Sequence, residues 1–403
     1  MTDLIDAPTK NVAMDARIGL LAVAGGFVAA NSHFNQPLLP AIADSFGVPA
    51  AVMGTLPAVT QLGLAIGLLT IVPLYDLLER RRAIVATLLL LAFAAAAHSL
   101  ATSLPLLWAT AFLIGLGCCS AQLMTPYAAL LAPPGREGRA SSLVLSGILV
   151  GVLLSRVVAG MVEQYIGWRY LYAGSSICIV VVAFVIARAG TASLNPAATS
   201  YPALMRSMKA MVAAMPRLRR HATNGAMTFG ALMLFWGTYA GHVQTTFSFG
   251  SLETGLIGLL GVTGAAAASL AGRWVDGGRF RQAQIVAAVL MLIGYACLWL
   301  GAAALPLFCV GVLLIDIAGG LSHAGNQSSA FRLDPRARGR VNSIYMVAYF
   351  LGGSVSVSIG TLAYLIGGWS AICALGIILA LGLLTMEWLK PVGDLAHTQA
   401  PHG

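Results

Sequence analysis

The chain has 403 residues, of which 58% are hydrophobic and only 9% charged, and its formal net charge is +9. A soluble domain carries roughly 25% charged residues, so this composition excludes an ordinary soluble globular fold. The positive balance alone would suit a nucleic-acid binder, but the Lys and Arg residues fall between apolar runs on one side of a membrane topology, which excludes that partner.

Apolar runs of about 20 residues, the length needed to cross a hydrocarbon core of about 30 Å, recur from Ile18 onward. The first has no small-residue cleavage pattern ahead of a soluble domain and is read as a retained helix. Spans are predicted at residues 18–42, 51–75, 83–101, 105–131, 141–165 and 168–188, then at 222–246, 252–275, 282–302, 305–330, 341–365 and 369–389. With both termini cytoplasmic, all 23 basic residues except Arg156 and Arg169 lie in inner segments, as the positive-inside rule requires. Cys118, Cys119, Cys178, Cys297, Cys309 and Cys373 sit inside apolar runs without metal-ligand spacing and are read as packing residues.

Two turns carry the same signature. Pro73, Leu74, Asp76, Glu79, Arg80, Arg81 and Arg82 close and follow the second span, and Gly272, Arg273, Asp276, Arg279 and Arg281 close and follow the eighth. The repeat extends further at an offset of 201: Leu104–Pro105–Leu106 matches Leu305–Pro306–Leu307, Gly138–Arg139 matches Gly339–Arg340, Gly151 matches Gly352, and Gly167–Trp168 matches Gly368–Trp369. The predicted fold is an all-α membrane protein of twelve transmembrane helices in two pseudo-symmetric six-helix halves, at 1–188 and 222–403. Residues 189–221 form a cytoplasmic linker with an amphipathic stretch at Met205, Met208, Met211 and Met215. Duplicated membrane bundles are mostly transporters. The offset also separates what the halves do not share: Asp316 stands where the first half has Gly115, and Arg156 where the second has Val357.

On these marks the chain resembles the major facilitator superfamily over essentially its whole length. The first Asp-plus-basic turn and the Gly147, Gly151 pair on helix 5 are similar to those of bacterial drug or metabolite exporters of the proton-antiporter type. Val72, Leu77 and Glu79 depart from the family's turn pattern, and Val152 stands where antiporters carry a proline. The resemblance implies alternating access, with helices 1, 4, 7 and 10 lining the cavity. It also implies that the turn after helix 2 meets the start of helix 11. Asp76 with Arg80 and Arg81 is therefore a candidate conformational latch, and Asp276 with Arg279 is its counterpart, facing the start of helix 5 near Ser141.

A charge at bilayer depth costs at least about 2.5–3.5 kcal/mol and is functional by default. Helical rise puts Arg156 about 22 Å from the inner end of helix 5 and Asp316 about 16 Å from the outer end of helix 10. Asp316 is the candidate proton or substrate site. Arg156 either joins it in proton coupling, recognises an anion or pairs between helices. Polar and aromatic residues on the four cavity helices are candidate substrate contacts: Asn31, His33 and Asn35 (with Gln36), Gln122 and Tyr127, then Trp236, Tyr239 and His242, and finally His323 beside Asp316 (with Gln327). Aromatics, a few amides and one acid suit a mid-sized amphipathic organic molecule.

The sequence carries no phosphate-cradling loop ending in Lys-Ser or Lys-Thr, so an ATP-driven pump is not expected. No nucleophile elbow or metal cluster is visible either, and no enzymatic activity is expected. The expected function is secondary transport driven by the proton gradient, without a cofactor: export of a drug or metabolite, or, as the alternative, proton-coupled uptake of an organic solute or acid. A non-transporting receptor on the same scaffold is the remaining reading. The expected location is a bacterial inner membrane, and the expected state is a monomer.

Overall fold

In a bilayer every backbone N–H and C=O must find a partner within the chain, and an apolar run satisfies this as a helix. The computed structural model describes residues 6–75, 77–133, 135–189, 200–334 and 337–389. Among them no strand forms, and nine helices are long and apolar enough to cross a membrane. The chain runs through α1 (Asp6–Asn31), α2 (Asn35–Phe46), α3 (Ala50–Met53), α4 (Thr55–Tyr75), α5 (Arg80–Ser99), α6 (Leu104–Cys118), α7 (Ser120–Leu131), α8 (Glu137–Ile166) and α9 (Trp168–Ala189). It continues through α10 (Tyr201–Ala214), α11 (Pro216–Trp236), α12 (Tyr239–Phe247), α13 (Ser251–Ile257), a 3₁₀ turn at Gly258–Gly261, α14 (Val262–Asp276), α15 (Phe280–Leu300), α16 (Leu305–Phe331) and α17 (Arg338–Leu389).

The repeated sequence pairs have local physical reasons. Pro105 and Pro306 open α6 and α16, where a missing N–H costs nothing and the fixed φ suits a first turn. Gly167 and Gly368 take positive φ values of 96° and 58°, a conformation that L side chains resist. Each turns the chain into a helix anchored by the next residue. Trp168 Nε1 donates to Ser45 Oγ at 3.3 Å, and Trp369 Nε1 donates to the Leu298 carbonyl at 3.0 Å. The last two predicted spans are thus two helices within the range α17 that meet at a sharp, non-helical turn at Gly368.

Five predicted spans are interrupted: the second at Gly54, the fourth at Cys119, and the first, seventh and eighth beside the buried charges. The first breaks at Ser32–Phe34, where side chains bond back to the preceding turn: Asn31 Nδ2 donates to the Phe27 carbonyl at 2.9 Å, and Ser32 Oγ to that of Ala29 at 2.8 Å. Such bonds compete with the helical ladder. The seventh breaks at Gly237 and Thr238, and Thr238 Oγ1 bonds the Leu234 carbonyl at 2.6 Å. The eighth tightens into the 3₁₀ turn at Gly258–Gly261.

Contacts between the segments before and after the linker gather at the end of the bundle opposite the basic turns. Ser354 Oγ on α17 donates to the carbonyl of Ala58, in the first turn of α4, at 2.8 Å. Near the end of α8, Gly160 packs on the backbone of Ser251, and Gln164 Oε1 accepts from the Leu252 amide at 3.2 Å.

Close backbone approach fixes the rest. A Cβ at Gly147 or Gly151 on α8 would run into the backbone of Ala22 or Gly26 on α1. Gly174 on α9, by contrast, has open space around it. Gly151→Leu should therefore destabilise the protein by about 1–3 kcal/mol or more, and Gly174→Leu by no more than about 0.5 kcal/mol. Thermal unfolding in detergent checks this, and equal melting temperatures for the two variants would contradict it.

Candidate functional site in the membrane interior

Arg156 and Asp316 are buried, at 4% and 9% exposure, and make no direct ion pair among the described residues. They are joined through a third side chain. The Arg156 guanidinium carbon lies 3.9 Å from the centre of the Trp236 ring, and Trp236 Nε1 donates to Asp316 Oδ1 at 3.4 Å. One indole thus offers its electron-rich face to the cation and its N–H edge to the acid. A desolvated cation–π contact of this kind is worth about 2 kcal/mol or more. Arg156 Nε also donates to Gln36 Oε1 at 2.7 Å, so α2, α8, α11 and α16 each supply one member of the chain of contacts.

The helix breaks place these groups. Trp236 is the last residue of α11 before its break, and Gln36 lies in the first turn of α2 just after the other one. The 3₁₀ turn passes between the charges, because a tighter helix with no side chain there leaves the space. A Cβ at Gly258 would strike the aliphatic stem of Arg156, and one at Gly261 would come nearest to Asp316 Oδ2, at 3.8 Å. Gly255, Gly258, Gly261 and Gly264 recur every three residues, the spacing that aligns side chains in a 3₁₀ helix.

Two residues that the sequence reading passed over complete the setting. Gln36 Nε2 and Gln61 Nε2 both approach Met233 Sδ at 3.7 Å, and Asn35 Nδ2 donates to Thr60 Oγ1 at 3.1 Å. Three buried acceptors, Asp316 Oδ2, Asn35 Oδ1 and Gln61 Oε1, have no hydrogen-bond partner. Buried polar atoms left bare are costly and call for an explanation. At this site the bare acceptors belong to one acid and two amides. Gln61 could have been found as the single amide within the predicted span 51–75; Met233 carried no such signal.

Of the remaining candidates, Tyr239 packs on the link and the others scatter. Asn31 Oδ1 accepts from Ser175 Oγ on α9 at 2.7 Å, and His33 Nδ1 is 2.8 Å from Ser32 Oγ. Tyr239 packs edge-on against Trp236 with 5.0 Å between ring centres, and its hydroxyl donates to the Thr254 carbonyl at 3.2 Å. His242 stacks flat on Trp369 at 4.2 Å, with Nε2 2.9 Å from the Ala302 carbonyl in the turn before α16, which places it at the end of the bundle. His323 lies about two turns from Asp316 on α16, bonded to Tyr345 Oη at 3.1 Å and 4.4 Å from the Tyr349 ring. Tyr127 is buried and Gln122 half-buried on α7.

Of the latch candidates, Asp76 lies outside the described residues. Arg80 sits over the Tyr75 ring at 5.6 Å, and Arg81 lies 3.5 Å from Glu79 and donates to the Ala187 carbonyl at 3.2 Å. Asp276 is paired with Arg332 at 2.5 Å, both largely exposed, rather than with the start of α8 near Ser141, and Arg279 is exposed before α15. A second buried polar cluster went unforeseen. His221, Asn326, Gln284 and Ser322 are linked by bonds of 2.8–3.0 Å, and Glu387 accepts from Asn224 at 2.9 Å beside Arg220 at 3.6 Å.

The sequence profile described as Major Facilitator Superfamily matches residues 21–280. An uncharacterized transporter of Escherichia coli O157:H7, YgaY, is 33% identical over 374 residues, covering 93% of this chain and 95% of its own length. The chloramphenicol resistance protein of Streptomyces lividans is 29% identical over 376 residues, or 91% of this chain and 94% of that one. Two solved structures share the fold. A bacterial homolog of the human lysosomal transporter Spinster, inward-facing and unoccupied, has a TM-score of 0.73 over 94% of this chain and 96% of its own, at 11% identity. A D-xylose–proton symporter has a TM-score of 0.72 over 92% and 97%, at 18% identity. With the profile spanning more than half of an all-helical chain, and a relative one-third identical along nearly its whole length, this protein belongs to the Major Facilitator Superfamily of membrane transporters.

Proposed function

We propose that the protein is a secondary transporter that exports a small organic compound by exchange with protons, through alternating access between two six-helix halves of a twelve-span bundle in a bacterial inner membrane. The observation that carries this reading is the buried link Arg156–Trp236–Asp316. It ties a base on α8 to an acid on α16, on either side of the linker, and leaves one carboxylate oxygen without a partner. A carboxylate that gains a proton gives up its charge, so the charge-assisted bond from Trp236 weakens and the stacked guanidinium loses its counter-charge. Charge-assisted hydrogen bonds are roughly twice as strong as neutral ones. Proton binding and release at one atom would thereby loosen or restore the contact that spans the halves.

Export is favoured over uptake by the full-length likeness to a chloramphenicol resistance protein. A compound of that kind, neutral or weakly charged with several hydrogen-bond donors and an aromatic ring, suits the bare acceptors at Asn35, Gln61 and Asp316 and the indole and phenol faces of Trp236 and Tyr239. Substrate and proton would then compete for Asp316, as exchange requires.

In proteoliposomes with an imposed pH gradient, a phenicol added to the wild type should discharge the gradient in the exchange sense. Asp316→Asn should abolish that discharge while binding the compound, and full activity in this variant would contradict the proton role. The pair also makes a stability prediction. Arg156→Leu leaves a buried carboxylate without its counter-charge and should cost about 3–5 kcal/mol, and Arg156→Leu with Asp316→Leu should recover most of it. Denaturation of the four forms checks this, and additive losses would mean that the two groups do not communicate.

A further inference from the structure

A groove of about 1000 Å³ opens on the flank of the bundle where α4, α10, α11 and α17 meet, away from Arg156 and Asp316. Its wall follows α17 from Ile344 to Ser356, about 18 Å of helix. That length runs from the end bearing the basic turns toward the middle of the membrane. Met208, Val347, Leu351 and Leu379 make the interior apolar, and Lys209 stands at the mouth.

The mouth is built by α10, the amphipathic helix of the linker. Met208 is buried while Arg206 and Lys209 are exposed, and Arg206 and Lys209 share one face at a spacing of three. The helix is held in place from both sides. Arg340 on α17 donates to Ser207 Oγ at 3.0 Å, and Arg219 donates to the carbonyls of Val212 and Ala213 at 2.9 and 2.7 Å. Lys209 itself makes no ion pair among the described residues. No Asp or Glu occurs in the sequence between Glu163 and Glu253, so the segment brings no counter-charge of its own.

We infer that this groove holds an acyl chain of an anionic phospholipid from the cytoplasmic leaflet, with the lipid phosphate at Lys209. The groove opens sideways to the bilayer, so its natural occupant is an amphiphile already dissolved there. A neutral lipid would fill the apolar part and leave the ammonium unmatched. Basic clusters on amphipathic helices beside a membrane attract anionic lipids in this way. The bound lipid would pin α10, which joins the two halves of the chain, against α4 and α17.

The test needs no transport. Purified protein is equilibrated in detergent with equal amounts of phosphatidylglycerol and phosphatidylcholine of the same chains, and bound lipid is counted by native mass spectrometry. The wild type should retain phosphatidylglycerol in preference. Lys209→Glu should lower that preference about fivefold or more. Ala348→Phe combined with Val355→Phe, which narrows the groove from its wall on α17, should lower retention of both lipids. Equal retention of the two lipids by the wild type would overturn the inference, as would full retention in the variant with the narrowed groove. Displacement of phosphatidylglycerol by an equal concentration of oleate would reassign the groove to a free fatty acid and overturn the phospholipid identity. Because none of these readouts depends on flux, their outcome is separate from that of the exchange reaction.

Discussion

An arginine and an aspartate buried in an apolar bundle must each be compensated, and here one tryptophan compensates both. The face of Trp236 carries the cation and its N–H carries the acid. Removing either charge therefore changes the environment of the other across the bundle. The arrangement differs from a direct salt bridge in one respect that matters for a carrier. A bidentate pair would occupy both carboxylate oxygens, whereas this one leaves Asp316 Oδ2 buried and without a hydrogen-bond partner among the described residues.

The backbone around the link is correspondingly irregular. The breaks at Ser32–Phe34 and Gly237–Thr238 and the 3₁₀ turn at Gly258–Gly261 all adjoin residues of the link or of its glycine lining. Irregular backbone at membrane depth is tolerated only where it is buried in protein or lines a cavity. Elsewhere the helices approach through glycine with no slack, as α1 and α8 do at Gly26, Gly147 and Gly151. Close glycine contacts hold the scaffold, and the polar contacts gather where the backbone is irregular.

Much of this was legible in the sequence, for identifiable reasons. The all-helical fold with long apolar spans followed from hydropathy, and the repeated Gly–Trp and Leu–Pro pairs from the fixed demands of a positive φ and of a proline-opened helix. Arg156 and Asp316 stood out because charges in apolar runs are costly. Their connection through Trp236 was not legible, since a stacked indole depends on how three helices are rotated against one another. The same holds for Gln61 and Met233, which meet Gln36 from different helices. Stripes drawn on unbroken helices also misplaced neighbours: past the break in the seventh span, His242 turns to stack on Trp369. The spacing of Gly255, Gly258, Gly261 and Gly264 was in the sequence all along, and a search for a period of three would have found it.

On the proposed exchange mechanism, the charge on Asp316 that holds the link would also hold shut the end of the bundle where Gly160 meets Ser251. Spin labels at Tyr165 on α8 and Leu300 on α15, both exposed, flank that end. In a cysteine-free background, their separation can be measured by pulsed electron resonance for Asp316 and for Asp316→Asn. The account predicts a shift to longer distances in the neutral variant, as the two sides part. An unchanged distance distribution would show that the buried charge does not govern which face of the transporter is open.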